Sequence, residues 1–307
     1  MSKIKNIINL LRVRQYYKNI LLFIGPFFSV SLLNFSLYPT LLLSFLVLCA
    51  ISSINYIIND IYDIEVDKLY PEKLDKRPLA SGELSISFAW VITALLSAFI
   101  LINLIFIIQN LWFSLMTILI LITGQLYNFI FKNFSFLDIF GVSFIYIWRT
   151  LAGCFLINIF ISPWLLVSIF ELALFLVISK RKADLTLLGL QKALEYKKSY
   201  KRYNCNLLYQ LQFFTAVILV TTYTTYIIWT VFYTSLIEST IFVLNILLTI
   251  PLFPFLIITY IKTSNNEPEI ARCTEKVFIK PKIVITGIFF VIMLGLSFYG
   301  DKIFKLA

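Results

Sequence analysis

The sequence predicts an all-α polytopic membrane protein of about nine transmembrane helices, and three observations carry that expectation. Sixty per cent of the 307 residues are apolar and only 14% are charged, against roughly 45–50% and about 25% in soluble domains. The apolar residues form runs long enough to cross a hydrocarbon core, which takes about 20 residues per helix. The charges collect in a few loops instead of being spread over helix faces. A water-soluble globule is excluded, and a loop-confined net charge of +10 does not point to nucleic acid.

The first 18 residues are basic and lack an apolar run ending in a small-residue cleavage site, so they read as a retained amphipathic segment, 1–18, on the membrane surface. Apolar spans follow at 19–34, 39–58, 86–108, 111–131, 136–157, 162–179, 208–233, 239–261 and 283–300. Each is expected to be helical, because lipid offers a backbone no other hydrogen-bond partner. The breaks at 35–38, 109–110, 158–161 and 234–238 hold no Lys or Arg, whereas the N-terminal segment, Lys132 and the loops 59–85, 180–206 and 262–282 hold 23 of the 26. Positive charge favours the cytoplasmic side, which places the N-terminus and the large loops in the cytoplasm and the C-terminus outside, in the cell (inner/plasma) membrane. Without a repeat or a low-complexity linker, a single integral-membrane domain over 1–307 is expected.

The chain has no histidine, and its four cysteines form no CxxC pair. Zinc, haem and disulfide frameworks are unsupported, so acid–base or metal chemistry falls to carboxylates, Lys, Tyr or Asn.

The string NDIYDIEVD closes the second span. On a helix, Asn59, Asp63, Asp67 and Asp60 fall at about 0°, 40°, 80° and 100°, one face, with Glu65 at about 240° on the far side. Acids gathered so closely beside an apolar span need a cation, and hard oxygen donors suit Mg²⁺, which reaches such sites together with substrate phosphates. The competing reading is an acidic turn balanced by Lys68, Lys73, Lys76 and Arg77. Lys73, Lys76 and Arg77 follow directly and suit either diphosphate oxygens or plain membrane anchoring. In SKRKADL, Lys180, Arg181 and Asp184 share a face at about 0°, 100° and 40° while Lys182 points away; a helix-end ion pair worth a few tenths of a kcal/mol explains that pattern equally. Arg149, inside a span, is expected to face a polar interior, whereas Lys132 at a span's end also suits snorkelling. For Glu171 both pairing with Arg149 and protonation are open.

RQYYKN, NDIYDIEVDKLYPEKLDKRPLASG, LYNFIFKNFSFLDIFGVSFIYIWRTLAG and KRKAD together resemble the UbiA-type intramembrane prenyltransferase superfamily, over roughly residues 10–190. Within it the chain looks like the decaprenyl-phosphate phosphoribosyltransferase branch. Aromatic prenyltransferases of the superfamily carry a second aspartate-rich motif where this chain has Lys180, Arg181 and Asp184, similar to the KRxxE of that branch with Asp for Glu. Tyr17 in place of Trp and Tyr70 in place of His are further departures.

The resemblance implies a UbiA-like helix bundle that transfers 5-phosphoribose from phosphoribosyl diphosphate (PRPP) to a polyprenyl (decaprenyl-type) phosphate, releasing pyrophosphate with inversion at the anomeric carbon, in cell-envelope biosynthesis. It implies Mg²⁺ on Asn59 and Asp63, helped by Asp60 and Asp67. Lys18, Lys73, Lys132 and Arg149 are then expected to hold phosphate and diphosphate oxygens, Lys180 and Arg181 to grip either phosphate, and Tyr56 to contact the lipid phosphate. The alternatives are transfer of an allylic prenyl group from its diphosphate to an aromatic or quinone-precursor acceptor, and a transporter or channel. The missing second aspartate motif disfavours the first, and the scarcity of charge within the spans the second.

Overall fold

The computed structural model describes residues 3–69, 74–233 and 240–306. The described residues form helices and no strand, and the chain divides into two compact units, Met1–Phe160 and Ile161–Ala307.

The first unit opens with α1 (Lys3–Leu11), whose Leu10 is buried against Ile57, Leu79 and Ala89 while Ile4 and Ile8 stay exposed. A 3₁₀ stretch, Val13–Phe23, leads into the short α2 (Ile24–Phe28). Four long helices and one short one follow: α3 (Tyr38–Tyr62), the short α4 (Ile64–Lys68), α5 (Ile86–Ile102), which runs on as a π-helical turn Asn103–Ile108, α6 (Leu111–Phe129) and α7 (Leu137–Leu156). The termini carry the expected caps: Ser85 accepts from the Phe88 N–H at 3.2 Å and Asn110 from the Phe113 N–H at 2.9 Å. Asn110 also donates to the Phe155 carbonyl at 3.0 Å, tying the start of α6 to the end of α7. The core joins Leu41, Val47, Leu48 and Ile51 of α3 to Phe113, Met116 and Ile120 of α6 and Ala152 of α7.

The second unit contains α8 (Pro163–Tyr196), bent at Gly189, where φ is 72° and only glycine is unstrained. It continues with α9 (Cys205–Tyr233), α10 (Thr240–Asn266), the short α11 (Pro268–Arg272) and α12 (Pro281–Leu306). Helix α8 packs on α9 and α11, and α10 on α12.

Eight helices among the described residues are long and apolar enough to cross a membrane, one fewer than expected. The missing one is 19–34, which is 3₁₀ to Phe23, α-helical only over Ile24–Phe28 and 3₁₀ again at Ser31–Leu33. Pro26 supplies no N–H, Val30 takes a left-handed φ of 59°, and Asn19 is fully buried. Within the segment Asn19, Leu22, Gly25, Pro26 and Val30 are buried, while Ile20 is exposed.

Gly153 makes that packing possible. A Cβ there would overlap the Leu22 carbonyl oxygen, so the 3₁₀ segment lies directly on the α7 backbone. Gly153→Ala is expected to cost about 1–3 kcal/mol through overpacking and to lower the thermal midpoint in detergent. An unchanged midpoint contradicts that contact.

Candidate functional site

The acidic face forms at the end of α3. Asp63 (φ −95°, ψ 9°) turns the chain from α3 into α4, yet its N–H still reaches the Asn59 carbonyl at 2.9 Å, and the Asp67 N–H the Asp63 carbonyl at 2.7 Å. Helical spacing therefore persists through the kink and keeps the four residues together. Asp60 and Asp67 are both buried at 3% exposure. Arg77 joins them, pairing with Asp60 Oδ1 and lying 3.5 Å from Asp67 Oδ2. Arg12 pairs with the same Asp60 oxygen and stacks its guanidinium 4.4 Å above the Tyr56 ring. The backbone of Arg12 has a φ of 50°, an uncommon conformation for a residue with a side chain. Asp63, with a 28% exposed side chain, accepts from Lys132 Nζ at 2.7 Å and from Asn59 Nδ2 at 2.9 Å. Three cations thus face three aspartates, which limits their mutual repulsion.

Among the described residues no three acidic side chains gather in metal-holding geometry. The donor chemistry nevertheless fits Mg²⁺ at one place: the Asn59 amide and the Asp63 carboxylate are adjacent and partly exposed and can each offer an oxygen once the Asn59 Nδ2–Asp63 hydrogen bond is given up, and two protein donors completed by water and substrate phosphates are what this ion ordinarily takes. Asp60 is differently occupied, with one oxygen committed to two arginines and the other buried without a hydrogen-bond partner.

A second polar cluster lies within the same unit. Arg149, 6% exposed on α7, donates to Ser52 Oγ at 3.2 Å; Ser52 donates to Asn19 Oδ1 at 3.3 Å, and Asn19 Nδ2 lies 3.3 Å from Cys49 Sγ. The Arg149 guanidinium sits 5.9 Å from the Tyr146 ring centre, and its Nε is buried without a partner. Lys18 is within electrostatic reach of Arg149, Tyr56 and Tyr146. Neither cation has a carboxylate partner among the described residues.

In the second unit, Lys180 is exposed while Arg181 and Asp184 are buried at 2% and 3%. Both Asp184 oxygens are engaged: Oδ2 by the Tyr200 hydroxyl at 2.7 Å and Arg181 at 3.7 Å, Oδ1 by Arg272 Nε at 3.3 Å. Burial raises the Tyr200 pKa well above the usual tyrosine range, so its O–H remains the donor.

Of the remaining expected residues, Lys73 lies outside the described residues, Lys76 is exposed and outside the ion pairs of the acidic face, and Glu65 pairs at 2.7 Å with Lys68 on the far side. Glu171 accepts from Thr222 Oγ1 at 3.1 Å. Arg12, Ser52, Asn19, Tyr200 and Arg272 join these clusters without having been singled out in the sequence. Charge alone marked Arg12 and Arg272, and nothing distinguished the neutral three.

A helical membrane protein with an Asn/Asp cluster interlaced with cations at the end of its first long helix is the class that fold and site define. The chain belongs to the UbiA prenyltransferase family, whose profile matches residues 20–279. It is 31% identical over 211 residues to the decaprenyl-phosphate phosphoribosyltransferase of Mycolicibacterium smegmatis, covering 65% of each chain. To the protein of that name from Corynebacterium glutamicum it is 32% identical over 206 residues, 64% of this chain and 61% of the relative. These matches span just under two thirds of the relatives' length. Among solved structures, the fold resembles a UbiA homologue from Archaeoglobus fulgidus bound to DMAPP and Mg²⁺ (TM-score 0.64, 19% identity, 95% of this chain and 98% of that one). The same homologue bound to GPP and Mg²⁺ gives a TM-score of 0.65 at the same identity and coverage.

Proposed function

We propose that the protein is a transferase that moves 5-phosphoribose from PRPP to a polyprenyl phosphate, releasing pyrophosphate, in a Mg²⁺-dependent reaction at the cytoplasmic face of the cell membrane. A lipid phosphate oxygen attacks the ribose C1 as the C1–pyrophosphate bond breaks, with inversion. That nucleophile is already anionic and needs no strong base, which suits a chain without histidine. Bound Mg²⁺ supplies neutralisation of charge on the departing pyrophosphate, with Asn59 and Asp63 as its protein donors. Lys132 and Arg77 hold the carboxylates in place and offer N–H donors to diphosphate oxygens. Lys18 and Arg149, two cations without carboxylates among the described residues, offer a phosphate subsite, and Tyr56 contacts the lipid phosphate. Positioning and fixed charge then lower the barrier.

The observation that carries this reading over allylic prenyl transfer is the engagement of both Asp184 oxygens by Tyr200, Arg181 and Arg272. Unlike Asp63, whose side chain is 28% exposed, Asp184 is buried at 3%, and a lysine stands at position 180; this supports a basic, phosphate-oriented second motif and not a second metal-binding aspartate pair. The relatives named decaprenyl-phosphate phosphoribosyltransferase support the same choice.

The test incubates purified protein in detergent with Mg²⁺, radiolabelled PRPP and a C50 polyprenyl phosphate. Label in the organic phase, lost on addition of EDTA, is expected. No label with several lipid lengths, together with consumption of an allylic diphosphate, transfers the assignment to the prenyltransferase alternative.

A further inference from the structure

Within the second unit, Lys182 faces a cavity that the proposed reaction does not use. It lies two residues from Asp184 on α8 but on another face of the helix, about 200° from Lys180 at 100° per residue. Its Nζ donates to Gln212 Oε1 on α9 and to Asn265 Oδ1 on α10, both at 2.6 Å, and sits 5.2 Å from the Tyr209 ring centre. Gln212 is 1% exposed, and its Nε2 donates at 2.7 Å to Ser179, also 1% exposed. That bond fixes the amide with its oxygen toward the ammonium, so one side of the arrangement, Gln212 and Ser179, is built from buried groups.

The cavity beside it measures about 180 Å³, and its polar lining is Lys182, Ser179, Thr186, Tyr209, Ser264 and Asn265. At ~30 Å³ per water this is room for about six waters, ample for a tetrahedral PO₄ group. The lining contains hydroxyls and amides, one positive charge and no carboxylate. Two of the three ammonium N–H groups go to neutral oxygens, and no carboxylate pairs with Lys182 among the described residues. The Ser179, Thr186 and Ser264 hydroxyls donate to backbone carbonyls, which leaves the third Lys182 N–H, the Asn265 amide N–H groups and the Tyr209 hydroxyl to meet a ligand; a half-buried cation compensated only by dipoles is poorly neutralised, and it favours an anion at its side.

We infer that the Lys182 cavity is an accessory site for a phosphate group, separate from the acidic face and from the Asp184 cluster. The ligand is a phosphate monoester or diester, supplied by an anionic lipid headgroup or by free phosphate.

The experiment measures binding of dioctanoyl phosphatidic acid to the purified full-length protein by native mass spectrometry, with dioctanoyl phosphatidylcholine as the zwitterionic control. Because phosphate compounds also bind a substrate site, the quantity read is the component that depends on Lys182. Lys182→Gln is expected to weaken that component at least tenfold, while Lys182→Arg, which keeps the charge, retains most of it. Asn265→Asp is isosteric and lies at an exposed position; it gives the ammonium an internal counter-ion and is expected to weaken binding to a similar degree in a protein that remains folded. Displacement by inorganic phosphate supports the site with free phosphate as ligand, and resistance to displacement supports it with the lipid headgroup. Unchanged binding in Lys182→Gln and Asn265→Asp, or equal Lys182-dependent binding of phosphatidylcholine, overturns the inference. Neither readout involves turnover, so the outcome is independent of the proposed transferase reaction.

Discussion

Asp63→Ala is expected to lower phosphoribosyl transfer by 10²–10³-fold or more while the protein stays monodisperse in detergent, an order of magnitude typical of losing a preorganised electrostatic group. Asp63 is the most open of the three aspartates, with 28% of its side chain exposed, so its truncation opens no sealed cavity. What it removes is the acceptor shared by Lys132 and Asn59, and with it the carboxylate proposed as the Mg²⁺ donor. Asp63→Asn keeps the size and loses the charge, and should be nearly as inactive. Asp60→Asn behaves differently: Asp60 holds Arg12 and Arg77 together in a buried site, so its loss leaves two guanidiniums without their carboxylate, and both stability and activity should fall. Full turnover by Asp63→Ala removes the metal site from this helix end.

The contrast between these aspartates marks how much of the site was legible in the sequence. That Asn59, Asp60, Asp63 and Asp67 share a face follows from helical spacing, which survives the turn at Asp63 because the i→i+4 bonds on either side of it are kept. Which of them is open and which is enclosed depends on Arg12 and Arg77, brought in from segments 48 residues before and 17 residues after Asp60. No local periodicity encodes such a pairing. The same limit governed the spans. Hydropathy identified eight long helices because a membrane crossing and an apolar run are nearly the same thing, but hydropathy does not show that 19–34 is divided into short 3₁₀ and α-helical pieces. The breaker signal was present in Gly25-Pro26, and the close approach at Gly153 was not, since a glycine in a helix reads as a weakness until its neighbour is known. In SKRKADL the one-face arrangement of Arg181 and Asp184 was visible, but Tyr200 and Arg272, which decide what Asp184 does, lie 16 and 88 residues away in sequence.

Arg149→Ala is expected to raise the KM for PRPP by roughly 10- to 100-fold, the loss of one or two charge-assisted hydrogen bonds of about 1.5–3 kcal/mol in total. The KM for the lipid phosphate and kcat at saturating PRPP should change far less. The direction follows from what Arg149 lacks. It is 6% exposed within α7, held by Ser52 and lying beside Tyr146, with Nε unpartnered and no carboxylate in its described surroundings. A guanidinium kept there for stability alone would be expected to have a counter-ion, because an unneutralised buried charge opposes folding. Removing it should therefore leave the thermal midpoint unchanged or slightly raised, whereas deleting a structural ion pair lowers it by several degrees. Lys18, within reach of the same charge, adds to the repulsion that an incoming phosphate relieves. Arg149→Lys, retaining the charge without the planar fork, should recover part of the PRPP affinity. A PRPP KM unchanged in Arg149→Ala, together with a lowered midpoint, assigns the arginine to the fold and leaves Lys18 as the cation to examine for the sugar phosphate.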